Sequence, residues 1–312
     1  MTTAVVVAAV GLACLDHVWH VDHFPPTRSR THASSYRSHG GGPAATAAVA
    51  ATRLGAEAHL WASLGEDEAA TTVERELSEE GVLLHALRAA GARSFVSAVL
   101  VEPSGERHIF PYRGDALADD PARLDWSALV RARALLTDAR HPQLSEHALQ
   151  VAHRNGIPTV GDWSDLRHWD QTALVDHLIV SEECARAALG DVALGNEALG
   201  EDDLAAALPR LRSAEHQLVA VTLGPRGILW DAGDGVRRTL APRVDVLDST
   251  GAGDACHGAY AFALASGRSV ADALRLASAV GALACTGPGR DALPDLAAAE
   301  RLAATLPDEE QR

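Results

Sequence analysis

The chain has 312 residues, 47% hydrophobic and 22% charged, enough for one large α/β domain with a sizeable core, and nothing in the composition points to disorder. Its 42 acids against 27 Lys and Arg leave a formal charge of -15, which argues against a binder of phosphate backbones; no nucleic-acid partner is expected. No apolar run reaches the roughly 18 residues of a membrane span, and no membrane partner is expected.

The first stretch, "MTTAVVVAAVGLACLD", lacks a positive leader and is closed early by Asp16, so it reads as a buried first strand and not a signal peptide. Expected strands follow in chain order at 4–11, 59–65, 95–102, 107–112, 134–140, 157–163, 177–182, 218–224 and 227–232. The most apolar of these are continuous, as strands covered on both faces are. Helices are expected to start near Pro43, Glu66, Ser145, Glu182, Asp202, Gly253, Val270 and Pro294. This strand–helix alternation predicts an α/β fold, a doubly wound and mainly parallel sheet, in a single domain over 1–312. Two segments break the rhythm. Residues 12–39 are polar with aromatics and histidines, and 92–113 read as a hairpin turning at "EPSGE". Both are expected to pair into a small sheet that stands off the main domain as a lid.

The four cysteines, Cys14, Cys184, Cys256 and Cys285, form no CxxC and no zinc spacing. Reduced thiols in a cytoplasmic protein are the expectation. Histidines crowd the first lid segment (His17, His20, His23, His32, His39), but their spacing follows no ligand pattern.

The stretch that carries chemistry is "DSTGAGDACHGAYAFAL", from Asp248 to Leu264. Small residues let the backbone N–H groups of Gly251, Ala252 and Gly253 face one point, and the start of a helix adds its free donors and positive dipole end. Together they make an anion hole, with Asp254 beside it. A carboxylate there suits phosphoryl transfer: it accepts a proton from an attacking hydroxyl while N–H groups hold the charge on the transferred group. Taken alone, the same residues could be a plain strand-to-helix turn.

The company of this motif decides between the two. "DSTGAGD" with its small-residue helix, "GGGPAATAAVAATRLGAEAHLWASLGEDEAA" in the N-terminal half and "VTLGPRGILW" between them resemble, in order and spacing, the motifs of the ribokinase-like (PfkB) carbohydrate kinases. The resemblance covers nearly the whole chain, and no G-x-x-x-x-G-K-[ST] is present. It implies ATP as phosphoryl donor, Asp254 as the base, and Thr222, Gly224 and Gly227 along the nucleotide edge. It implies Asp16 as a binder of sugar hydroxyls, with Gly41 and Gly42 letting the backbone approach the sugar. It implies a monovalent cation, K⁺, near Asp248 and Thr250, with 284–291 completing the site; the alternative is an ordinary loop. Magnesium is expected with the nucleotide. Two departures stand out. Pro43 occupies a position where many relatives have Asn. The N-x-x-E that organises magnesium water in relatives is replaced by Ser181 and Cys184 in "SEECARAALG".

"GGGPAATAAVAA", "TDAR" and "SEE" most resemble the branch that holds sulfofructose kinase, with ketohexokinase more distant. That implies a ketose acceptor. Arg140, Arg30 and Arg113 are candidate readers of an anionic end on it, since a guanidinium grips a sulfonate or phosphate with paired bonds. In "HIFPYRGDAL", Pro111 stands where that branch has a polar Asn, which leaves open a different sugar. Fructose, ribose, ketodeoxygluconate or a nucleoside are the other acceptors, and a non-catalytic sugar-binding regulator is the reading from another class. The open edges of a lid sheet predict a homodimer through the lid.

Overall fold

The computed structural model describes residues 4–24, 30–103, 107–190, 200–307 and 310–311. Its main sheet begins with β1 (Val5–Val10), whose side chains alternate between two cores: Val7 and Ala9 on one face, Val6, Ala8 and Val10 on the other. β2 (Cys14–Val21) and β3 (Ala33–Gly41) then leave the main sheet as a hairpin, and α1 (Pro43–Arg53) returns the chain to it. β4 (Ala56–Leu64), α2 (Glu68–Glu79) and β5 (Leu83–Arg88) follow. β6 (Val96–Val101) and β7 (Arg107–Tyr112) form a second excursion; part of its turn, 104–106, lies outside the described residues. The second half runs β8 (Ala134–Thr137), α3 (Pro142–Arg154), β9 (Thr159–Trp163), β10 (His177–Ser181), α4 (Glu182–Leu189), α5 (Glu201–Ala207) and β11 (Leu218–Thr222). It closes with β12 (Ile228–Asp231), β13 (Val236–Thr239), α6 (Ala252–Ala265), α7 (Val270–Ala284), α8 (Leu296–Ala303) and β14 (Glu310–Gln311).

The ten strands lie in the order β14-β13-β12-β11-β10-β9-β8-β1-β4-β5, parallel from β11 to β5 and antiparallel at the β12–β14 end. α1, α2, α6, α7 and α8 cover one face, and α3, α4 and α5 the other. The sheet is a doubly wound α/β sheet, as the alternation of apolar runs predicts. β5 and β13 were not among the expected strands. Both sit toward the sheet's margins, where "LLHALR" and "VRRT" need only half a core face. Among the described residues no helix is long and apolar enough to cross a membrane.

The strand order reverses between β1 and β8, and an open α/β sheet forms its ligand crevice at such a point, beyond the carboxyl ends of the strands. One packing detail brings two helix starts there together. α6 is buried on nearly every side, and a Cβ on Gly258 would stand 2.2 Å from the carbonyl oxygen of Ala47 on α1. The two helices therefore touch backbone to backbone through alanines and this glycine.

The two excursions form a second sheet, β3-β2-β6-β7, with β2 and β6 parallel and the outer pairs antiparallel. Its register sorts the side chains. Asp16, Val18, Val99, Val101 and Arg107 share one face, on which the three valines make a small buried core. Trp19, Tyr36, Phe110 and Tyr112 share the other, where Tyr36 (52%), Phe110 (53%) and Tyr112 (49%) are exposed.

Candidate active site

The crevice is framed by two helix starts. At the first, Gly42 caps α1 with φ 96°, and a Cβ there would meet Leu12 O at 2.4 Å. A Cβ on Gly41 would fall 1.9 Å from the Asp16 carboxylate, so this glycine lets β2 carry an acid against the turn. Pro43 takes the first helical position, where no N–H is needed. Asp138, directly after β8, then fills the space above α1. Its Oδ2 accepts from Ala44 N (3.1 Å) and Leu12 N (2.9 Å), and its Oδ1 from Arg140 N (2.9 Å).

At the second start, Gly251 caps α6 in the left-handed region (φ 72°). Ala252 N donates at 3.3 Å to Ser249 O, while Gly251 N and Gly253 N have no acceptor among the described residues. A Cβ on Gly253 would find nothing within 4 Å. The space above Gly253 is open and carries unspent N–H donors, an arrangement that suits an anion. Asp254 lies in the first turn with no hydrogen bond or ion pair among the described residues. Burial pushes its carboxyl up to about 7, with Asp162 and Asp138 adding to the rise and His257 and Arg290 opposing it. Asp162, on β9, is itself raised by burial. His257 Nδ1 lies 3.5 Å from Asp162 Oδ2 and 2.7 Å from Gly253 O, and Nε2 lies 3.2 Å from Ile179 O.

Asp248 and Thr250 form the turn before α6. Thr250 N (2.8 Å) and Oγ1 (2.6 Å) donate to Asp248 Oδ1, and Gly289 N donates to Oδ2 (3.1 Å). Burial raises Asp248, but these bonds prevail and hold it below the usual carboxylate range. Arg107 of β7 donates to Thr250 Oγ1 (2.9 Å), so the small sheet touches this turn directly. Thr222 ends β11, with its hydroxyl 3.4 Å from Val180 O; Gly224 and Gly227, both at positive φ, make the turn to β12.

Beyond Asp138 lies a solvent-open pocket of about 350 Å³ lined by Arg113, Arg140, Trp163, Asp165, Arg167 and His168, among others. Arg140 donates to Ser164 Oγ (2.6 Å) and Asp165 (3.3 Å), and Arg167 pairs with the same carboxylate. Arg113 is exposed and has no partner among the described residues. The indole N–H of Trp163 is buried without an acceptor among the described residues. Ala139 (φ 53°) and His168 (φ 52°), two of the three described non-glycine residues at positive φ, line this pocket, and such backbone strain gathers at functional sites. Arg30 is exposed and does not line it.

The structure thus gathers Asp16, Gly41, Gly42, Asp254 and the Gly251–Gly253 turn at one crevice, with Arg140 and Arg113 in the adjoining pocket. Asp138, Asp162, His257, Arg167 and Arg290 were not singled out from sequence, although Asp138 lies inside "TDAR" and His257 inside "GDACHG". Their signal was a charged residue within a motif, with no way to see which backbone it meets.

A profile of the pfkB family carbohydrate kinases matches residues 6–296. The chain is 25% identical over 280 residues to ribokinase of Haemophilus influenzae, covering 88% of this chain and 90% of that one. It is 26% identical over 305 residues to the ATP-dependent ribose-1-phosphate kinase of Halopiger xanaduensis, covering 96% and 97%. A crystal structure from Agrobacterium tumefaciens assigned as a ribokinase superposes with a TM-score of 0.87 at 30% identity, covering 97% of this chain and 98% of that one. The fold and crevice define a ribokinase-like kinase. The chain belongs to the pfkB family of carbohydrate kinases and is an ATP-dependent sugar kinase.

Proposed function

We propose that this kinase phosphorylates a primary hydroxyl of a ketose whose far end carries an anion, 6-deoxy-6-sulfofructose being one such acceptor. The observation that carries this reading is the cationic pocket beside the crevice. Arg140 and Arg167 share one carboxylate there, and Arg113 has no partner among the described residues. A bound sulfonate or phosphate would accept from these guanidinium groups. The Halopiger relative, named for a phosphorylated sugar, is consistent with an anionic acceptor.

In this reading Asp16 and the Gly41–Gly42 turn hold the sugar under the small sheet, which acts as a lid and excludes water on closing. Asp254 takes the proton of the attacking hydroxyl, and the N–H groups of the α6 start, with Gly251, Ala252 and Gly253 around them, hold the charge on the transferred phosphoryl group. Thr222, Gly224 and Gly227 border the nucleotide. Magnesium carried with ATP would neutralise its phosphate charge. Of the side chains near the expected ordering position, Cys184 does not fit it, because burial pushes its thiol up to about 12, and Glu182 is paired with Arg186 and Arg226, which leaves Glu183 as the exposed carboxylate there. Potassium beside Asp248 and Thr250 would rest on main-chain carbonyls, because both side chains are committed to each other, to Gly289 and to Arg107. The exposed aromatic face of the lid is the surface through which two copies pair.

An ADP-release screen with Mg-ATP over fructose, sulfofructose, fructose phosphates, ribose, tagatose, ketodeoxygluconate and adenosine, with and without K⁺, tests the reading. Preference for an anionic ketose, lost in Arg140→Ala, supports it. Preference for a neutral sugar overturns the anion-reading pocket.

A further inference from the structure

Arg290 lies in the loop between α7 and α8, far in sequence from α1, yet it bonds the start of that helix twice. Its Nε donates to Thr46 Oγ1 (3.1 Å) and its Nη2 to Gly41 O (3.1 Å). A Cβ on Gly40 would lie 3.0 Å from Nη1. Thr46 in turn faces the second start, since a Cβ on Gly251 would lie 3.3 Å from its Cγ2 and 3.9 Å from Asp254 Oδ2. The preceding residue, Gly289, donates to Asp248 Oδ2. Two adjacent residues therefore hold the turn that faces the acceptor and the turn that precedes α6. The loop is itself anchored, because Arg53 of α1 donates to Leu293 O (3.0 Å).

The guanidinium is partly buried and has no carboxylate within ion-pair distance among the described residues; both of its bonded acceptors are neutral oxygens. Burial pushes Arg290 below its ordinary value, with the charges of Cys14, Asp16, Glu76 and Asp254 opposing that fall. The charged and titratable groups facing Asp254 are Asp162 on β9, Asp138 after β8, Cys14 on β2, His257 on α6 and Arg290. The carboxylates oppose ionisation of Asp254. Arg290 is the permanent cation among these groups.

We propose that Arg290 is a positioning residue that, with Gly289, joins the two glycine turns of the site and supplies the fixed positive charge that faces Asp254. This rests on the reading of Asp254 as the base. Through Thr46 the bonds of Arg290 connect the acceptor turn to the turn at the start of α6. Replacing it with a neutral side chain leaves Asp254 among Asp162 and Asp138 with less opposing charge, and the carboxyl then holds its proton to higher pH.

The test reads the carboxyl directly. Protein labelled with ¹³C at aspartate carboxyls is titrated by NMR, and the Asp254 signal is identified by its loss in Asp254→Asn. Arg290→Gln is expected to raise the Asp254 midpoint by about 1 pH unit, and Arg290→Lys by less than half of that. In ADP-release assays with fructose and ribose as probes, the acid limb of kcat/KM moves with the midpoint. KM for the sugar rises in both variants, because a lysine cannot bond Gly41 O and Thr46 together. An unmoved Asp254 midpoint in folded Arg290→Gln overturns the proposal. Should that variant not fold, the lysine chain decides, and a full-unit displacement there refutes the role of the charge. If Asp254→Asn keeps its turnover, it is the base assignment that fails. An inactive Asp254→Asn beside an unmoved midpoint in Arg290→Gln defeats the Arg290 proposal alone.

Discussion

The starts of α1 and α6 look alike in sequence, since each is a glycine run leading into an alanine-rich helix, and they stand side by side in the crevice. They are used in opposite ways. The α1 start is filled by the protein itself: Ala44 N is bonded to Asp138, Ala45 N to Leu12 O, and Pro43 has no donor to offer. The α6 start keeps Gly251 N and Gly253 N unspent beneath open space. A helix N-terminus becomes a ligand site only where no internal carboxylate caps it. The first start is therefore a closed wall that carries the Gly41 turn and Asp16, and the second keeps free donors for an anion, as the proposed phosphate site needs.

The contrast can be broken most severely at Asp254. Asp254→Asn is expected to lower kcat by about 10³-fold or more while ATP affinity, read by calorimetry, stays within a few-fold. Retention of a tenth of the wild-type kcat would remove the base from the cradle.

Filling or emptying the internal cap comes next. Asp138→Ala leaves the N–H groups of Leu12, Ala44 and Arg140 without their acceptor and should cost roughly 2–4 kcal/mol in denaturant unfolding. A loss below about 1 kcal/mol would mean that the α1 start is held by other contacts.

The pH response probes Asp254 further. As the proposed base it must be ionised to act, so kcat/KM is expected to rise through about pH 7 and level off above it. The same carboxyl binds its proton more tightly folded than unfolded. Its burial is free of cost below its ordinary value of 3.8, opposes folding increasingly as pH rises toward 7, and opposes it fully above that. Asp254→Asn should therefore be more stable than wild type at pH 8, by on the order of 1–2 kcal/mol, and not at pH 3. Equal stability gains at both pH values would contradict the raised carboxyl.

The smallest effect probes the open space itself. Gly253→Ala adds a methyl where nothing stands within 4 Å, so thermal stability should hold while KM for ATP rises several-fold. A methyl that leaves KM unchanged would place the phosphates elsewhere.

Local sequence determined much of this. Apolar runs of strand length alternating with helical stretches define the doubly wound sheet, because a strand buried on both faces has few other compositions open to it. The small residues of "DSTGAGD" mark the α6 start, since only such residues leave its N–H groups reachable. What the tertiary structure decided is which charges meet. Asp138 caps a helix that begins 95 residues earlier, Asp162 and His257 approach Asp254 from a strand and a helix, and Arg290 bonds a turn almost 250 residues upstream. "TDAR" and "ACTGPGRD" carry no periodicity that says which backbone their charged side chains will find. The sheet order, the reversal between β1 and β8, and the close contact of Gly258 with Ala47 set those meetings, and they are properties of packing at long range.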